Sequence, residues 1–581
     1  MRSTMQEVQL TVGRLLCHGT TAHARATAAT WQGDRFENLT YGELGHRTSQ
    51  LAGLLRRLGV RTAIRLDDPQ SVVATMMWNT HRHLELFWAV PAMGAVLHPL
   101  NPRMNVTQLV HAIDQAGDEV LVVDEDLLGL LTRVLPRTAG SVRHVVVARA
   151  SSDVPAWSPP EGCAVAVHDY EELLAACPTE YLWNQDLDER AAAVMCFTSG
   201  TTSAPKGVVY SHRSIYLHAL QMASADRYHL SARERLLPLA PMFHVNGWGI
   251  PHAALLSGAG LLLPGRHTQA PLIARMIEEG RPTLAAGVPT VWISLLEELD
   301  RRPYDVSSLQ RGVVGGAACP PSLLAAYRDR HSLRLLHAWG MTETSSLATL
   351  AVDPVPAEGE GALGEEQAWG YRTTQGQFPA SIRYRLIGQD GAPVPCDGAS
   401  TGELEITGPG VTGAYYGGRE GPPATPSDSF RDDGWFRTGD VGSITPDGYL
   451  RLSDRTKDVI KSGGEYISSV ELENALMAHS EVREAAVIAF PDARWGERPL
   501  SVVALRGNRE TPFDELRDWV EERVESWQVP EYWAVLEEIP KTPIGKFDKR
   551  ELRTLLDQNL LRVTTLKRRP ELVHRALPID M

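Results

Sequence analysis

Strand-like and helix-like segments alternate along this chain, and this alternation limits the folds that it can adopt. Residues 72–78 and 95–100 are apolar runs of strand length, and residues 81–93 between them have a helical pattern. Further apolar runs follow at 120–123 and 145–147. The pattern predicts an α/β fold in which helices cover the faces of a sheet. At 581 residues the chain is too long for one core, so we expect two or more domains.

One polar loop between two apolar strands carries the strongest chemical signal. Residues 191–197 and 208–210 are strand-like, whereas residues 198–207 hold hydroxyl side chains, two glycines, a proline and Lys206. Such a loop has little to bury, but its N–H groups, hydroxyls and lysine can hold an anion, most naturally a polyphosphate. The order Pro205-Lys206-Gly207, followed by a strand, excludes a P-loop kinase, in which the lysine precedes Ser or Thr and a helix follows.

Composition excludes several other classes of protein. A net charge of -14 argues against a nucleic-acid or anionic-membrane binder. The six cysteines lack disulfide or metal-ligand spacing, which favours reduced thiols in a cytoplasmic protein. No signal peptide and no apolar run long enough to span a bilayer are found in the sequence.

The remaining segments give coarser expectations. Residues 1–65 are predicted to be mainly helical, with Thr40 and Glu43 forming a capping box. A strand is expected to end at Ala240, and residues 353–378 are expected to form a long loop. Alternating residues predict a small antiparallel sheet or barrel from 383–387, 402–406 and 449–452.

Three later segments carry glycines or carboxylates of the kinds that binding sites use. Glycines at 315 and 316 would let a flat ligand approach the backbone. Glu343 is a hard oxygen ligand suited to Mg²⁺, which reaches protein sites through one or two carboxylates and phosphates. Asp440 ends the segment 433–440, and its carboxylate only accepts hydrogen bonds.

With the polar loop, these segments resemble the adenylate-forming superfamily, which includes acyl-CoA synthetases, firefly luciferase and peptide-synthetase adenylation domains. The resemblance covers about residues 30–556, and the motifs stand in the family order. Residues 241–248 are similar to medium- and long-chain fatty-acyl-CoA synthetases in particular. The implied fold is a large N-terminal domain of α/β sheets with a β-barrel-like subdomain, followed by a small mobile α+β domain. The implied boundaries are a domain at 1–453, a hinge at 454–458, the mobile domain at 459–556 and a tail at 557–581.

The resemblance also implies a role for each matching residue. The catalytic residues would be Lys546, Glu343 and His244. Binding of ATP or AMP would fall to Thr198, Ser199, Gly200, Thr201, Thr202, Lys206, Gly315, Gly316, Ala317, Trp339, Gly340, Met341, Thr342, Asp440 and Arg455. The metal would contact Glu343 and Thr198. The acyl pocket and its gate would comprise His244, Trp248 and Gly315. The CoA tunnel would be lined by Lys461, Gly463 and Gly464. Lys457 would be the hinge residue, and Trp339 stands where the family more often has tyrosine or phenylalanine.

The implied reaction uses ATP, Mg²⁺ and coenzyme A in two steps. A carboxylic acid is adenylated to acyl-AMP and pyrophosphate, and the small domain then rotates so that CoA accepts the acyl group. The acid is predicted to be a medium- or long-chain fatty acid, because Trp248 matches a gate to an acyl tunnel. The chain is expected to be a homodimer.

Other functions stay open at this point. The acid could instead be a bulky one of secondary metabolism, such as a terpenoid acid. The acceptor could be an acyl-carrier protein, although no fused carrier domain is visible. A luciferase-like oxygenase and a catalytically silent binding protein are the remaining alternatives, and the intact Lys546, Glu343 and Asp440 argue against the silent protein.

Overall fold

A computed structural model describes residues 1, 3–149, 157–198, 204–355, 363–418, 428–462, 465–507, 512–542 and 545–566. The chain divides into two compact units. The first unit comprises Met1–Ala317, Tyr327–Tyr384 and Ile406–Arg437, and the second comprises Ala318–Ala326, Arg385–Glu405 and Thr438–Met581.

One sheet of the first unit carries the strands that flank the polar loop. Its strand order is Ala166–Asp169, His144–Ala148, Val120–Asp124, Val72–Met76, Val96–Pro99, Ala192–Phe197 and Gly207–Ser211. Neighbouring strands are parallel except the last two, which are antiparallel. Most of the central strands are buried along their length, as expected for parallel strands that are covered on both faces.

A second sheet in the first unit presents the glycine-rich strand ends. Its strand order within this unit is Gly376–Gln377, Ser346–Leu350, Arg334–Met341, Arg311–Gly315, Leu284–Gly287, Arg235–Pro238, Gly260–Leu263, Thr27–Trp31 and Phe36–Thr40. The central pairs are parallel, and the pairs at both ends are antiparallel.

The helices pack their apolar faces against these sheets and against each other. They are Val12–Ala22, Tyr41–Arg57, His81–Ala92, Val106–Ala116, Leu128–Val134, Tyr170–Ala175, His212–Ala223, Ile250–Ser257, Ala270–Gly280, Pro289–Arg301 and Glu365–Arg372, with Pro321–His331 crossing the division between the units. The predicted capping box is present, because Thr40 accepts from the Glu43 N–H and Glu43 accepts from the Thr40 N–H. A continuous core joins Leu15, Leu51, Trp88 and Leu255.

The second unit combines a small antiparallel sheet with an α+β part. The first is built from Pro393–Val394, Arg383–Ile387, Gly402–Thr407, Phe436–Ile444 and Tyr449–Arg455, in that order, with three of these strands starting or ending in the first unit. The second part has the strand order Glu465–Ile467, Ile460–Ser462, Gly496–Leu505, Tyr532–Val535 and Thr564–Thr565, and Val482–Asp492 pairs with Gly496–Leu505. Its helices are Ser469–Met477, Phe513–Glu521 and Lys549–Asp557.

The α/β fold with a small α+β C-terminal part is confirmed, whereas three local expectations are wrong. Residues 1–65 contain the strands Thr27–Trp31 and Phe36–Thr40, because the first of them finds its parallel partner at Gly260–Leu263, far along the sequence. The strand expected to end at Ala240 ends at Pro238. The expected long loop at 353–378 holds the helix Glu365–Arg372.

Two further observations concern the chain as a whole. None of the described helices is long and apolar enough to cross a membrane. All six cysteines lie in the described residues and are free.

The domain boundaries at 453 and 458 stay a prediction, since the compact units divide the chain at other positions.

Candidate active site

The polar loop is closed at its base by two hydrogen bonds. The Thr198 N–H donates to the Lys206 carbonyl at 2.9 Å, and the Lys206 N–H donates to the Thr198 hydroxyl at 3.2 Å. The antiparallel register pairs Phe197 with Gly207 immediately below them. This arrangement presents Thr198 and Lys206 at the ends of two paired strands, as the sequence predicts. Ser199, Gly200, Thr201 and Thr202 lie outside the described residues.

Glu343 is a buried carboxylate in a short turn at Thr342–Thr344, and only 6% of it is exposed. The Tyr415 hydroxyl donates to its Oε1 at 2.8 Å. The Thr412 N–H donates to the Glu343 carbonyl at 2.8 Å. Side chain and backbone of Glu343 are therefore both held by one segment that lies about seventy residues later in the sequence.

Tyr415 also contacts the lysine of the polar loop. The Lys206 Nζ lies 4.5 Å from the centroid of the Tyr415 ring, within cation–π range. Burial, and then the neighbouring Glu343 carboxylate, raise the pKa of Tyr415 well above its usual value, so its hydroxyl stays protonated and donates. The fold thus brings Lys206, Tyr415 and Glu343 into one cluster, here called the Lys206–Glu343 cluster.

The Glu343 carboxylate of this cluster, together with the Thr198 hydroxyl that accepts from the Lys206 N–H, fits a magnesium site of the kind that the sequence predicts. A carboxylate on Glu343 and a hydroxyl on Thr198 are hard oxygen ligands. Among the described residues no group of three or more His, Cys, Asp or Glu side chains is placed to hold a metal. Mg²⁺ commonly uses only one or two carboxylates and takes its other ligands from phosphates and water, so the sparse set is compatible with it.

Close backbone packing explains the glycines of the predicted nucleotide segment. Gly315 ends its strand, and a Cβ there would lie 2.9 Å from the Ala338 carbonyl oxygen. A Cβ on Gly340 would overlap the Ser346 carbonyl oxygen across the antiparallel pair. Gly316 has a φ of 84°, a conformation that favours glycine. These glycines thus also serve the packing and the conformation of the backbone. Ala317, the third residue of the predicted nucleotide segment, ends the stretch Met1–Ala317 of the first unit.

Trp339 and its neighbours Met341 and Thr342 line the next strand end. Trp339 is 8% exposed and makes an edge contact with Phe378, with ring centroids 6.1 Å apart. The register of the strand shifts between Trp339 and Gly340. The Thr342 carbonyl accepts a hydrogen bond from the buried Tyr210 hydroxyl at 2.7 Å, which ties this turn to the strand after the polar loop.

The predicted acyl gate adopts a left-handed turn. His244 precedes it, and Val245, Asn246, Gly247, Trp248 and Gly249 have φ values of 46°, 56°, 58°, 56° and 73°. Left-handed backbone costs roughly 1–2 kcal/mol at each non-glycine residue, so surrounding contacts must hold this turn. Trp248 is 5% exposed, so it packs as a core residue in the described conformation.

His218 connects the turn at Trp248 with the turn at Glu343. A Cβ on Gly249 would overlap the Nδ1 side of the His218 ring. The other ring nitrogen of His218, Nε2, lies 3.0 Å from the Ser346 hydroxyl. Burial lowers the pKa of His218 to about 4, so the ring is neutral near pH 7.

In the second unit, Asp440 and Arg455 face each other across two antiparallel strands. The Arg455 Nε lies 3.0 Å from the Asp440 Oδ1, and Asp440 is 4% exposed. Lys457 follows the strand end, and its side chain is exposed. The buried carboxylate and its arginine suit the sugar and phosphate of a nucleotide.

The two other predicted segments of the second unit are both hairpins. The Thr542 N–H donates to the Lys546 carbonyl at 2.7 Å, and the Lys546 N–H donates to the Thr542 hydroxyl at 3.1 Å. The Lys461 N–H donates to the Glu497 carboxylate at 2.8 Å, and its strand pairs with Glu465–Ile467. Gly463 and Gly464 lie outside the described residues.

Tyr415 is a residue that sequence reasoning missed. It stands in a glycine-rich stretch at residues 408–418, Gly-Pro-Gly-Val-Thr-Gly-Ala-Tyr-Tyr-Gly-Gly. That composition is a sign of backbone that approaches other groups closely. Nothing in the sequence, however, indicates that the tyrosine meets Glu343.

Comparison with known proteins gives consistent matches over nearly the whole chain. Residues 18–416 match the family described as AMP-binding enzyme, and residues 471–546 match the AMP-binding enzyme C-terminal domain. A 3-methylmercaptopropionyl-CoA ligase of Ruegeria pomeroyi is 41% identical over 505 residues, which cover 87% of this chain and 90% of that protein. A long-chain-fatty-acid–CoA ligase of Thermus thermophilus is 41% identical over 516 residues, which cover 88% of this chain and 89% of that protein.

The fold is likewise that of solved structures. A crystal structure of an anthranilate CoA ligase in complex with anthranoyl-AMP superposes with a TM-score of 0.81 at 22% identity, covering 96% of this chain and all of the other. At that identity the likeness concerns the fold alone.

Proposed function

The chain belongs to the AMP-binding enzyme family and is an AMP-forming acid–thiol ligase, and we propose that its acid is a medium- or long-chain fatty acid. In the first half-reaction a carboxylate oxygen attacks the α-phosphate of ATP, giving acyl-AMP and pyrophosphate. In the second, the thiol of CoA attacks the acyl carbonyl, forming the thioester and releasing AMP.

The Lys206–Glu343 cluster is the observation that carries the proposal for the first half-reaction. Adenylation builds negative charge on the α-phosphate and on the leaving pyrophosphate, so cationic groups and donors must converge there. Lys206 supplies a positive charge at the end of the polar loop, and Tyr415 holds it beside Glu343. Glu343 and Thr198 would hold Mg²⁺, which when bound neutralises charge on the phosphates.

The other nucleotide contacts follow from the strand ends. Gly315, Gly316, Ala317 and Trp339 would line the adenine, and Asp440 with Arg455 would bind ribose and phosphate. Lys546 would contribute the second cation for adenylation. Its hairpin is held by Thr542 at both backbone groups, which gives its side chain a fixed base.

The second half-reaction would require the small domain to turn about Lys457. Lys461, Gly463 and Gly464 would then line the path of the pantetheine arm, because glycines leave room for a narrow ligand beside the backbone. Presenting two sites in turn on one domain is a gating mechanism.

The choice of acid rests on the turn at residues 245–249. Trp248 is buried in a strained left-handed conformation, and relief of that strain would favour an open gate when an acyl chain enters. A long acyl chain provides the apolar surface to replace the buried indole. The relative named as a long-chain-fatty-acid–CoA ligase supports this choice, whereas the relative named for a short thioether acid makes that class the second candidate.

We further propose that the enzyme is a cytoplasmic homodimer. The ordinary reduced cysteines are compatible with the cytoplasm. Sedimentation measurements would test the dimer, and a monomer at micromolar concentration would contradict it.

Release of AMP and pyrophosphate should be measured across straight-chain acids of increasing length, a short thioether acid and cyclic acids, each with and without CoA. Turnover of long straight-chain acids with consumption of CoA supports the proposal. Preferred turnover of the thioether acid or of cyclic acids contradicts the proposed substrate. Adenylate formation without CoA consumption would indicate another acceptor, such as a carrier protein.

A further inference from the structure

We propose that the second unit contains two separate buried cation clusters, each of which positions the segment of one half-reaction. Lys549 positions the hairpin of Lys546 for adenylation, and Arg498 positions the strand Ile460–Ser462, which carries Lys461, for thioester formation. Both are positioning residues, and the proposal rests on the roles given above to Lys546 and Lys461.

The Lys549 ammonium is held by an acidic pocket in the α+β part of the second unit. Its Nζ lies 2.7 Å from the Glu473 Oε1 and 2.5 Å from the Ser469 hydroxyl. Ser469 in turn donates from its N–H and its hydroxyl to the Asp454 carboxylate, at 2.7 and 2.6 Å. These neighbouring carboxylates outweigh burial and raise the pKa of Lys549, so it is a fully charged cation in a buried site.

This cluster joins the Lys546 hairpin to the predicted hinge. Lys549 is the first residue of the helix Lys549–Asp557 and stands three residues after Lys546. The preceding Asp548 N–H donates to the Pro540 carbonyl, which closes the base of the hairpin. One turn later, Arg553 donates to the Asp458 carboxylate at 2.5 Å, beside the hinge residue Lys457. The start of this helix is therefore fixed to both Asp454 and Asp458.

Arg498 forms the second cluster at the other hairpin. It is 1% exposed and lies in the strand Gly496–Leu505. One of its terminal nitrogens donates to the Ser462 hydroxyl at 3.0 Å and to the Trp527 carbonyl at 2.7 Å. The other donates to the Val529 carbonyl at 2.9 Å, and its Nε lies 3.2 Å from the Glu531 carboxylate.

Ser462 is the residue directly before Gly463, so Arg498 acts at the base of the predicted CoA segment. A planar guanidinium with several fixed acceptors holds a loop base more rigidly than a point charge does. The strand Ile460–Ser462 also pairs with Glu465–Ile467 and with Gly496, and the Lys461 N–H donates to Glu497. Arg498 adds the contact that fixes the Ser462 side chain at the end of this strand.

The described partners of the two cations share no residue. Lys549 contacts Ser469 and Glu473, whereas Arg498 contacts Ser462, Trp527, Val529 and Glu531. A change in one cluster should therefore leave the other segment in place. A displacement of about 1 Å at a catalytic group can lower a rate roughly a hundredfold.

The test measures the two half-reactions separately in Lys549→Met and in Arg498→Lys. Acid-dependent exchange of pyrophosphate into ATP reports adenylation, and conversion of supplied acyl-adenylate with CoA reports thioester formation. We expect Lys549→Met to lower adenylation about ten- to a hundredfold and to keep thioester formation within about threefold of wild type. Arg498→Lys should show the reverse pattern.

Controls separate positioning from loss of fold. In the double variant Lys549→Met with Glu473→Gln, the second change removes the carboxylate that the first leaves buried without its cation. Its thermal unfolding midpoint should therefore stay close to that of wild type, while the adenylation defect remains. Lys541 lies in the same hairpin and forms ion pairs with Glu484 and Glu538. In Lys541→Met, the rates of both half-reactions should stay within about threefold of wild type.

The outcomes distinguish this inference from the proposed function. If wild type performs both half-reactions but either positioning variant lowers the two equally, the inference is wrong and the function stands. The inference also fails if Lys541→Met matches the Lys549→Met pattern. If wild type performs neither half-reaction with any acid, the proposed function fails and takes the inference with it.

Discussion

Replacing Tyr415 by phenylalanine should lower the rate of adenylation and cost the fold the stability of one hydrogen bond. The change removes the hydroxyl that donates to the Glu343 carboxylate at 2.8 Å and keeps the ring beneath Lys206. A hydrogen bond to a charged group contributes about 1.5–3 kcal/mol. If Glu343 needs this bond to keep its orientation in the transition state, adenylation falls roughly ten- to one-hundred-and-fifty-fold.

A matched control exists in the same unit. The Tyr170 hydroxyl donates to the buried Glu85 carboxylate at 2.6 Å, and Tyr170 is fully buried. Tyr170→Phe therefore removes the same kind of bond away from the proposed site. We expect it to lower the thermal unfolding midpoint as Tyr415→Phe does, while pyrophosphate exchange stays near wild type.

The assay is acid-dependent pyrophosphate exchange at saturating ATP, followed as a function of Mg²⁺ concentration. Tyr415→Phe should lower the maximal rate and require more Mg²⁺, because the Glu343 carboxylate is then less well oriented. Equal activity of the two tyrosine variants, or wild-type exchange by Tyr415→Phe, would refute the reasoning that links Tyr415 to catalysis through Glu343.

The remaining predictions concern four other positions. Lys546→Ala should abolish adenylation but keep thioester formation from supplied acyl-adenylate, and equal loss of both half-reactions would contradict its role. Gly340→Ala should destabilise the first unit by several kcal/mol, because a Cβ there overlaps the Ser346 carbonyl, and calorimetry measures this. Burial lowers the pKa of His83 to about 3, so between pH 6.5 and pH 3 the unfolded chain binds a proton that the folded chain does not. The free energy of unfolding then falls by about 1.4 kcal/mol for each pH unit in this range. Denaturant titrations at several pH values should show that this free energy depends less on pH in His83→Gln. Trp248→Ala should broaden the acid range toward bulky acids, and an unchanged chain-length profile would show that Trp248 serves packing alone.

Local pattern was sufficient for much of the fold. The helix His81–Ala92, the strands on either side of the polar loop and the capping box of Thr40 and Glu43 all follow from spacing and capping residues that lie within a few positions of each other. The strand Thr27–Trp31 was not predictable in the same way, because its residues carry no strong strand pattern and its partner lies at Gly260–Leu263.

The candidate site shows the same division. The sequence by itself determined which residues could serve a nucleotide, because motif order and residue chemistry are properties of the chain. Only the tertiary structure decided that Tyr415 joins Lys206 to Glu343, that residues 245–249 form a left-handed turn, and that Lys549 is paired with Glu473. These contacts depend on how distant segments pack, and packing energies are set by the neighbours that the fold brings together rather than by those in the sequence.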